Sequence, residues 1–164
     1  MAAFAAIFVI QNLMFVKSKV SHLLLLHLFI FVPMNSVLTK TTSGVRITVN
    51  PRYEDNLSFA PEESYVFSYH ITVENQNSYP VKLLRRHWFI FDSVGISREV
   101  EGAGVVGETP LIMPGEFFSY SSACDLKSPR GSMHGFYTMQ RFGSEELFQV
   151  NVPQFNLEAP HSLS

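Results

Sequence analysis

The chain has 164 residues, within the size of one domain, and carries 12 Lys/Arg against 14 Asp/Glu for a formal charge of −2. All 14 acids lie between Gly44 and Pro160 with only 9 Lys/Arg beside them, which excludes the clustered positive surplus of an ordinary nucleic-acid binder. The 15 Phe, 6 Tyr and 1 Trp exclude a disordered chain, and a lone Cys124 excludes an internal disulfide framework or a CxxC zinc or redox site, in keeping with a reduced, cytoplasmic setting.

Residues 1–36 read as an apolar extension ahead of a domain over 37–161. Ala2–Val16 is apolar apart from Gln11 and Asn12, Lys17 and Lys19 follow, and Leu23–Met34 reads LLLLHLFIFVPM. Neither run reaches the roughly 20 residues a bilayer-spanning helix needs. Lysines followed by an apolar run have the form of a signal peptide, which makes the protein exported or membrane-tethered, although Pro33-Met34-Asn35-Ser36 is a poor cleavage context. Translation from Met34, rather than Met1 or Met14, makes the segment an upstream extension with no structural role. A helix packing on the domain is the third reading.

From residue 44 onward the dominant signal is period-two alternation, the mark of strands with one buried wall. Val45, Ile47 and Val49 alternate with Arg46 and Thr48 as far as Asn50-Pro51. Tyr65, Phe67, Tyr69, Ile71 and Val73 alternate with Ser68, His70, Thr72 and Glu74, closed by Asn75-Gln76-Asn77-Ser78. A third strand runs from Val81 to Asp92 with mixed parity: Leu84, Trp88 and Ile90 share a face with Arg86, while Leu83, Phe89 and Phe91 crowd the other. After a Val94-Gly95 turn come Ser97–Glu101, Glu116–Ser122, Met133–Gln140 and Leu147–Val152, bounded by Gly, Pro or Ser. Six or seven short strands with turn signals about every ten residues predict an all-β antiparallel sandwich. Trp88, the sole tryptophan, is expected to anchor the core between the sheets.

Gly102-Ala103-Gly104-Val105-Val106-Gly107 matches GxGxxG, the pattern that lets a backbone approach a pyrophosphate at a helix N-terminus. Pro110 and Pro114 follow closely and forbid the long helix that chemistry needs, so a glycine-bent connection between strands is the plainer reading, with a helix-free nest of N–H groups as the phosphate alternative. Arg86 is a candidate anion clamp, because its planar fork grips phosphate bidentately; the competing expectation pairs it with Glu99 or Glu101 and leaves Arg85 and His87 on a solvent face. Of six histidines, His70, His87 and His134 fall on separate strands; His87 and His134 are weak metal candidates, and no HxxxH or HExxH spacing supports them. Cys124 has no neighbour in a nucleophile pattern and reads as a quiet, half-buried thiol. No convergent acid–base pair indicates an enzyme, and no cofactor is implied.

Leu83-Leu84-Arg85-Arg86-His87-Trp88, the run Val100–Pro110 with its glycines, Met113-Pro114-Gly115-Glu116, Ser128–Tyr137 and the closing Val152-Pro153-Gln154-Phe155 together resemble the ApaG family over roughly Lys40–Pro160. The resemblance implies a fibronectin-III-like or immunoglobulin-like sandwich. It maps the family's glycine loop onto Gly102, Gly104 and Gly107 and its strand signature onto Arg86, His87 and Trp88, with Arg85 where the family usually has Ser. Family members generally lack residues 1–33. Bacterial members are named alongside cobalt resistance and magnesium efflux without an assigned catalytic step, and eukaryotic modules of this kind serve protein–protein binding.

Three functions follow as expectations. The first is a non-catalytic module, cytoplasmic, offering loops or an edge strand to a protein partner or a small anionic ligand, with a homodimer as one form of association. The second is a phosphate- or nucleotide-binding protein using Arg86, Gly102, Gly104 and Gly107. The third is direct divalent-metal handling through His87 and His134. Neither nucleic acid nor a membrane is expected to meet the domain itself.

Overall fold

The alternating rows become the walls of two facing sheets. The computed structural model describes residues 37–160, so the expectations placed on residues 1–36 and on residue 161 lie outside the described residues. Within them run β1 (Leu38–Thr42), β2 (Val45–Tyr53), β3 (Tyr65–Asn75), β4 (Val81–Asp92), β5 (Ile96–Ala103), β6 (Leu111–Ile112), β7 (Phe117–Leu126), β8 (Arg130–Arg141) and β9 (Leu147–Glu158), with short 3-10 turns at Asp55–Leu57 and Ala60–Glu62. One sheet has the order β1-β2-β3-β7 and the other β5-β4-β8-β9, with β6 paired to the start of β4. All pairings are antiparallel. The chain crosses between sheets after β3, β6 and β7, giving the two-sheet Greek-key layout of fibronectin-III and immunoglobulin domains.

Burial follows strand parity. Val45, Ile47 and Val49 of β2 and Phe67, Tyr69, Ile71 and Val73 of β3 form one wall of the core, facing Met133, Tyr137 and Met139 of β8 and Val150, Val152, Phe155 and Leu157 of β9. Two strands change phase partway. On β4 the register with β8 slips between Leu83 and Arg85, so Val81 and Leu83 point inward before the slip and Trp88 and Ile90 after it. Simple alternation places Leu84 with Trp88 and Leu83 on the opposite face; the bulge overturns this, because one extra residue inverts the parity of everything beyond it. On β9 a similar slip at Pro153-Gln154 carries the inward row from Val152 to Phe155.

Trp88 sits where the two walls meet, with ring centroids 5.7 Å from Tyr69, 6.0 Å from Tyr137 and 6.3 Å from Phe155. Gly135 lies opposite it in register, and a Cβ there would stand 2.1 Å from the His87 carbonyl oxygen and 2.9 Å from the indole. The glycine is therefore the space into which the tryptophan fits. Burial pushes up the phenols of Tyr69, Tyr120 and Tyr137, and the last two satisfy each other through hydroxyls 2.6 Å apart. Among the described residues no buried side-chain polar atom lacks a hydrogen-bond partner.

Two buried polar residues fasten the ends. Asn75 donates to the carbonyls of Tyr79 and Ile112 at 2.8 and 3.1 Å and accepts from Asn77 N–H, tying the β3–β4 turn to β6. Asp92 accepts from the Ser128 hydroxyl and from the Lys127 and Val94 N–H groups. Burial alone would raise its pKa; these donors outweigh burial and hold the carboxyl below its usual value. β1 and β6 escape the sequence pattern for a shared reason: β1 is a mostly polar run, LTKTT, and β6 spans only two residues.

Removing the Trp88 side chain should cost about 3–5 kcal/mol, and Gly135→Ala, which overpacks the same spot, about 1–3 kcal/mol. Denaturant midpoints at unchanged m-value check both; wild-type midpoints would contradict the packing described. Because the folded pKa of Asp92 is depressed, its contribution is complete above the unfolded carboxyl value, about 3.9, and is lost as pH falls below it. The stability gap between wild type and Asp92→Asn should therefore narrow in acid, and a gap that is constant from neutral pH to acid would contradict the clip.

Candidate functional site

Beyond its bulge, β4 sends alternate side chains to opposite surfaces: Arg86 and Trp88 toward the core, His87 and Phe89 outward. This sets the surroundings of every candidate residue. Arg86 donates from Nη1 to the carbonyls of Ala103 and Gly104 at 3.0 and 2.9 Å, so its guanidinium holds the end of β5 and the glycine loop against β4. The expected pair with Glu99 or Glu101 does not form. Those acids stand on the outer surface, where Glu101 meets Arg85 at 3.7 Å and Glu99 meets His87 at 3.2 Å. Arg86, on the inner parity, reaches loop carbonyls instead.

The glycine loop is a small hairpin. Val105 N–H donates to Glu108 O at 2.8 Å and Glu108 N–H returns to Val105 O at 3.0 Å, with Val106 (φ 48) and Gly107 (φ 80) between them. Positive φ at both central residues is the signature of a type I′ turn. Gly104 N–H donates to Leu84 O, and a Cβ on Gly104 would fall 2.0 Å from Glu108 O. A Cβ on Gly102 would stand 3.2 Å from the Arg86 guanidinium. Gly102, Gly104 and Gly107 thus answer to close packing and turn geometry, the glycine-bent connection of the plainer reading, and the loop leads to β6 rather than to a helix.

The histidines separate. His70 lies on the outer surface of the β1-β2-β3-β7 sheet, its Nδ1 3.0 Å from Ser121 Oγ. His87 and His134 share the outer surface of the other sheet, with Phe89 between them. The Phe89 ring stacks near-parallel on both, at centroid distances of 4.6 Å to His87 and 5.0 Å to His134, and Phe136 tilts against His87 at 5.0 Å. Among the described residues no three His, Cys, Asp or Glu side chains converge as a metal-holding group. Cys124 is half-buried, and burial pushes its thiol up to about 11, which suppresses the reactive thiolate.

Strand alternation therefore builds an aromatic and imidazole surface on β4 and β8, and beside it runs a groove of about 390 Å³ lined by Phe89, Phe91, Arg98, Glu99, Ser132, His134 and Gln154. Phe91 is 47% exposed at its edge. Sequence reasoning noticed Phe89 and Phe91 crowding one face but did not join them to His134 and Phe136, which lie some 45 residues away. The available signal was the aromatic parity of His87-x-Phe89-x-Phe91 and His134-x-Phe136 on the wall opposite the core.

Residues 56–141 match the family model described as the ApaG domain. The chain is 45% identical over 120 residues to Protein ApaG of Methylorubrum extorquens, covering 73% of this chain and 92% of that protein. It is 41% identical over 126 residues to Protein ApaG of Rhodospirillum centenum, covering 77% and 96%. A crystal structure reported under the name ApaA from Bordetella pertussis superposes with a TM-score of 0.69 at 37% identity, covering 72% of this chain and 95% of that one.

Val106 is a β-branched residue held at positive φ with its side chain 63% exposed, a conformation that costs on the order of 1–3 kcal/mol. Val106→Asn, better suited to this turn, should raise stability by about 1 kcal/mol in thermal melts. A drop in melting temperature would contradict the turn described.

Proposed function

The chain belongs to the ApaG family, and on that premise we propose that it is a non-catalytic binding module that holds an extended segment of a protein partner on the outer surface of the β5-β4-β8-β9 sheet. The observation that carries this reading is the ring surface of His87, Phe89, His134 and Phe136 beside its groove. Aromatic rings offer large contact area at small entropic cost, and the flanking Ser132 and Gln154 supply polar contacts that fix a backbone. Glu99 and Glu101 on the neighbouring strand favour a segment with a basic residue at that end.

The perturbed groups support the same reading, because each has a structural cause: the three phenols, Cys124 and Asp92 are shifted by burial and by turn hydrogen bonds. Arg86 and the glycine loop act as scaffold, keeping β5 and its acids alongside the groove. A link to divalent-cation handling, implied by the family resemblance, then runs through the partner rather than through an ion held by His87 and His134. The setting is cytoplasmic in this reading; among the described residues no helix is long and apolar enough to cross a membrane.

A displayed library of random peptides, selected on the wild-type chain, tests the reading. Selected peptides should lose at least about tenfold in affinity with Phe89→Ser or Phe136→Ser at unchanged melting temperature, a loss of about 1.4 kcal/mol or more. Peptides that bind both variants as they bind wild type, or a selection that enriches none, would overturn it.

A further inference from the structure

A four-stranded and a five-stranded sheet, the latter with β6 in line with β5 along β4, leave four edges. An exposed edge is a row of unpaired N–H and C=O groups that recruits another strand unless something blunts it. Three of the edges are blunted. β1 has five residues with Lys40 at its centre, β5 carries Arg98, Glu99 and Glu101, and β9 is broken by Pro153 at a register slip. β7 has none of these devices. It runs ten residues in unbroken register with β3, from Phe117 opposite Glu74 to Leu126 opposite Tyr65, without a proline, a glycine, a lysine or a bulge. Its sole charge, Asp125, is paired with Arg98, whose guanidinium also donates to the Asp125 carbonyl and caps the edge there, leaving Phe117–Ala123 as the open stretch. Among the described residues no strand pairs with its free side.

We propose that β7 pairs edge to edge, antiparallel, with β7 of a second copy of this chain across a two-fold axis, joining two four-stranded sheets into one of eight strands. A second copy fits because a two-fold axis sets a strand against itself, so charges on that strand must tolerate their own kind. The outward row of β7 is Phe117, Ser119, Ser121, Ala123 and Asp125. A register centred on Tyr120 lays Phe117 over Ala123 and Ser119 over Ser121 of the second copy while carrying Asp125 past them to Gly115, so no charge meets its own kind. The same operation applied to β5 sets Glu99 against Glu99, Glu99 against Glu101, or Arg98 against Arg98, which repels. Phe117, 68% exposed at the start of β7, gains cover in the pairing. This interface lies on the sheet opposite the proposed docking surface, so either proposal can fail without the other.

Sedimentation of the full chain, with hydrogen exchange followed on the same samples, tests the pairing. Wild type should reach twice the monomer mass between about 1 and 100 µM, and Ser121→Lys with Ala123→Lys should remain monomeric at the same melting temperature. Amides of β7 should exchange more slowly in the concentrated wild-type sample than in the dilute one, a readout that needs no variant. A wild type that stays monomeric at the upper concentration, a dimer indifferent to the two lysines, or β7 exchange independent of concentration would each overturn the proposal.

Discussion

One extra residue in β4 governs the molecule. The slip between Leu83 and Arg85 inverts strand parity, and everything beyond it depends on that inversion. Leu83 can stay in the core while Trp88 enters it, Arg86 turns inward to the glycine loop, and His87 and Phe89 are left for solvent. A straight strand would force a choice between burying Leu83 and burying Trp88, and every polar neighbour would then exchange surfaces.

The core tolerates a guanidinium at its margin because Arg86 has carbonyl acceptors from Ala103 and Gly104, and a buried or half-buried charge is costly only when its donors go unmet. The same logic covers the Tyr120–Tyr137 hydroxyl pair within the core, and the Asn75 amide and Asp92 carboxylate at the ends of β3 and β4. Glycines serve this packing in two ways: Gly135 vacates space for Trp88, and Gly107 supplies the positive φ that closes the hairpin. The glycine motif closes a hairpin whose carbonyls receive the Arg86 guanidinium.

The long buried strands were legible in the sequence because alternation over nine to twelve residues is a strong signal, and β3 shows it without interruption. The resemblance drawn from the Arg86-His87-Trp88 strand, the glycine loop and the Met133–Tyr137 segment agrees with the family match over residues 56–141. Three features were not legible. The bulge breaks periodicity at one position, which in sequence looks like poor amphipathicity. The acceptors of Arg86 are backbone carbonyls, which carry no residue identity, so an acidic partner was the natural expectation. The ring surface is assembled from two strands far apart in the chain, and only the register of Phe89 against His134 joins them.

Fold and surface therefore rest on the phase of a single strand. A cysteine-accessibility scan along β4, one position at a time in a Cys124→Ser background, measures that phase directly. The account predicts fast labelling at positions 85, 87, 89 and 91, protection at 81, 83, 88 and 90, and a break in the alternation at 84. Unbroken alternation from 81 to 92 would contradict it, and with it the inward setting of Arg86.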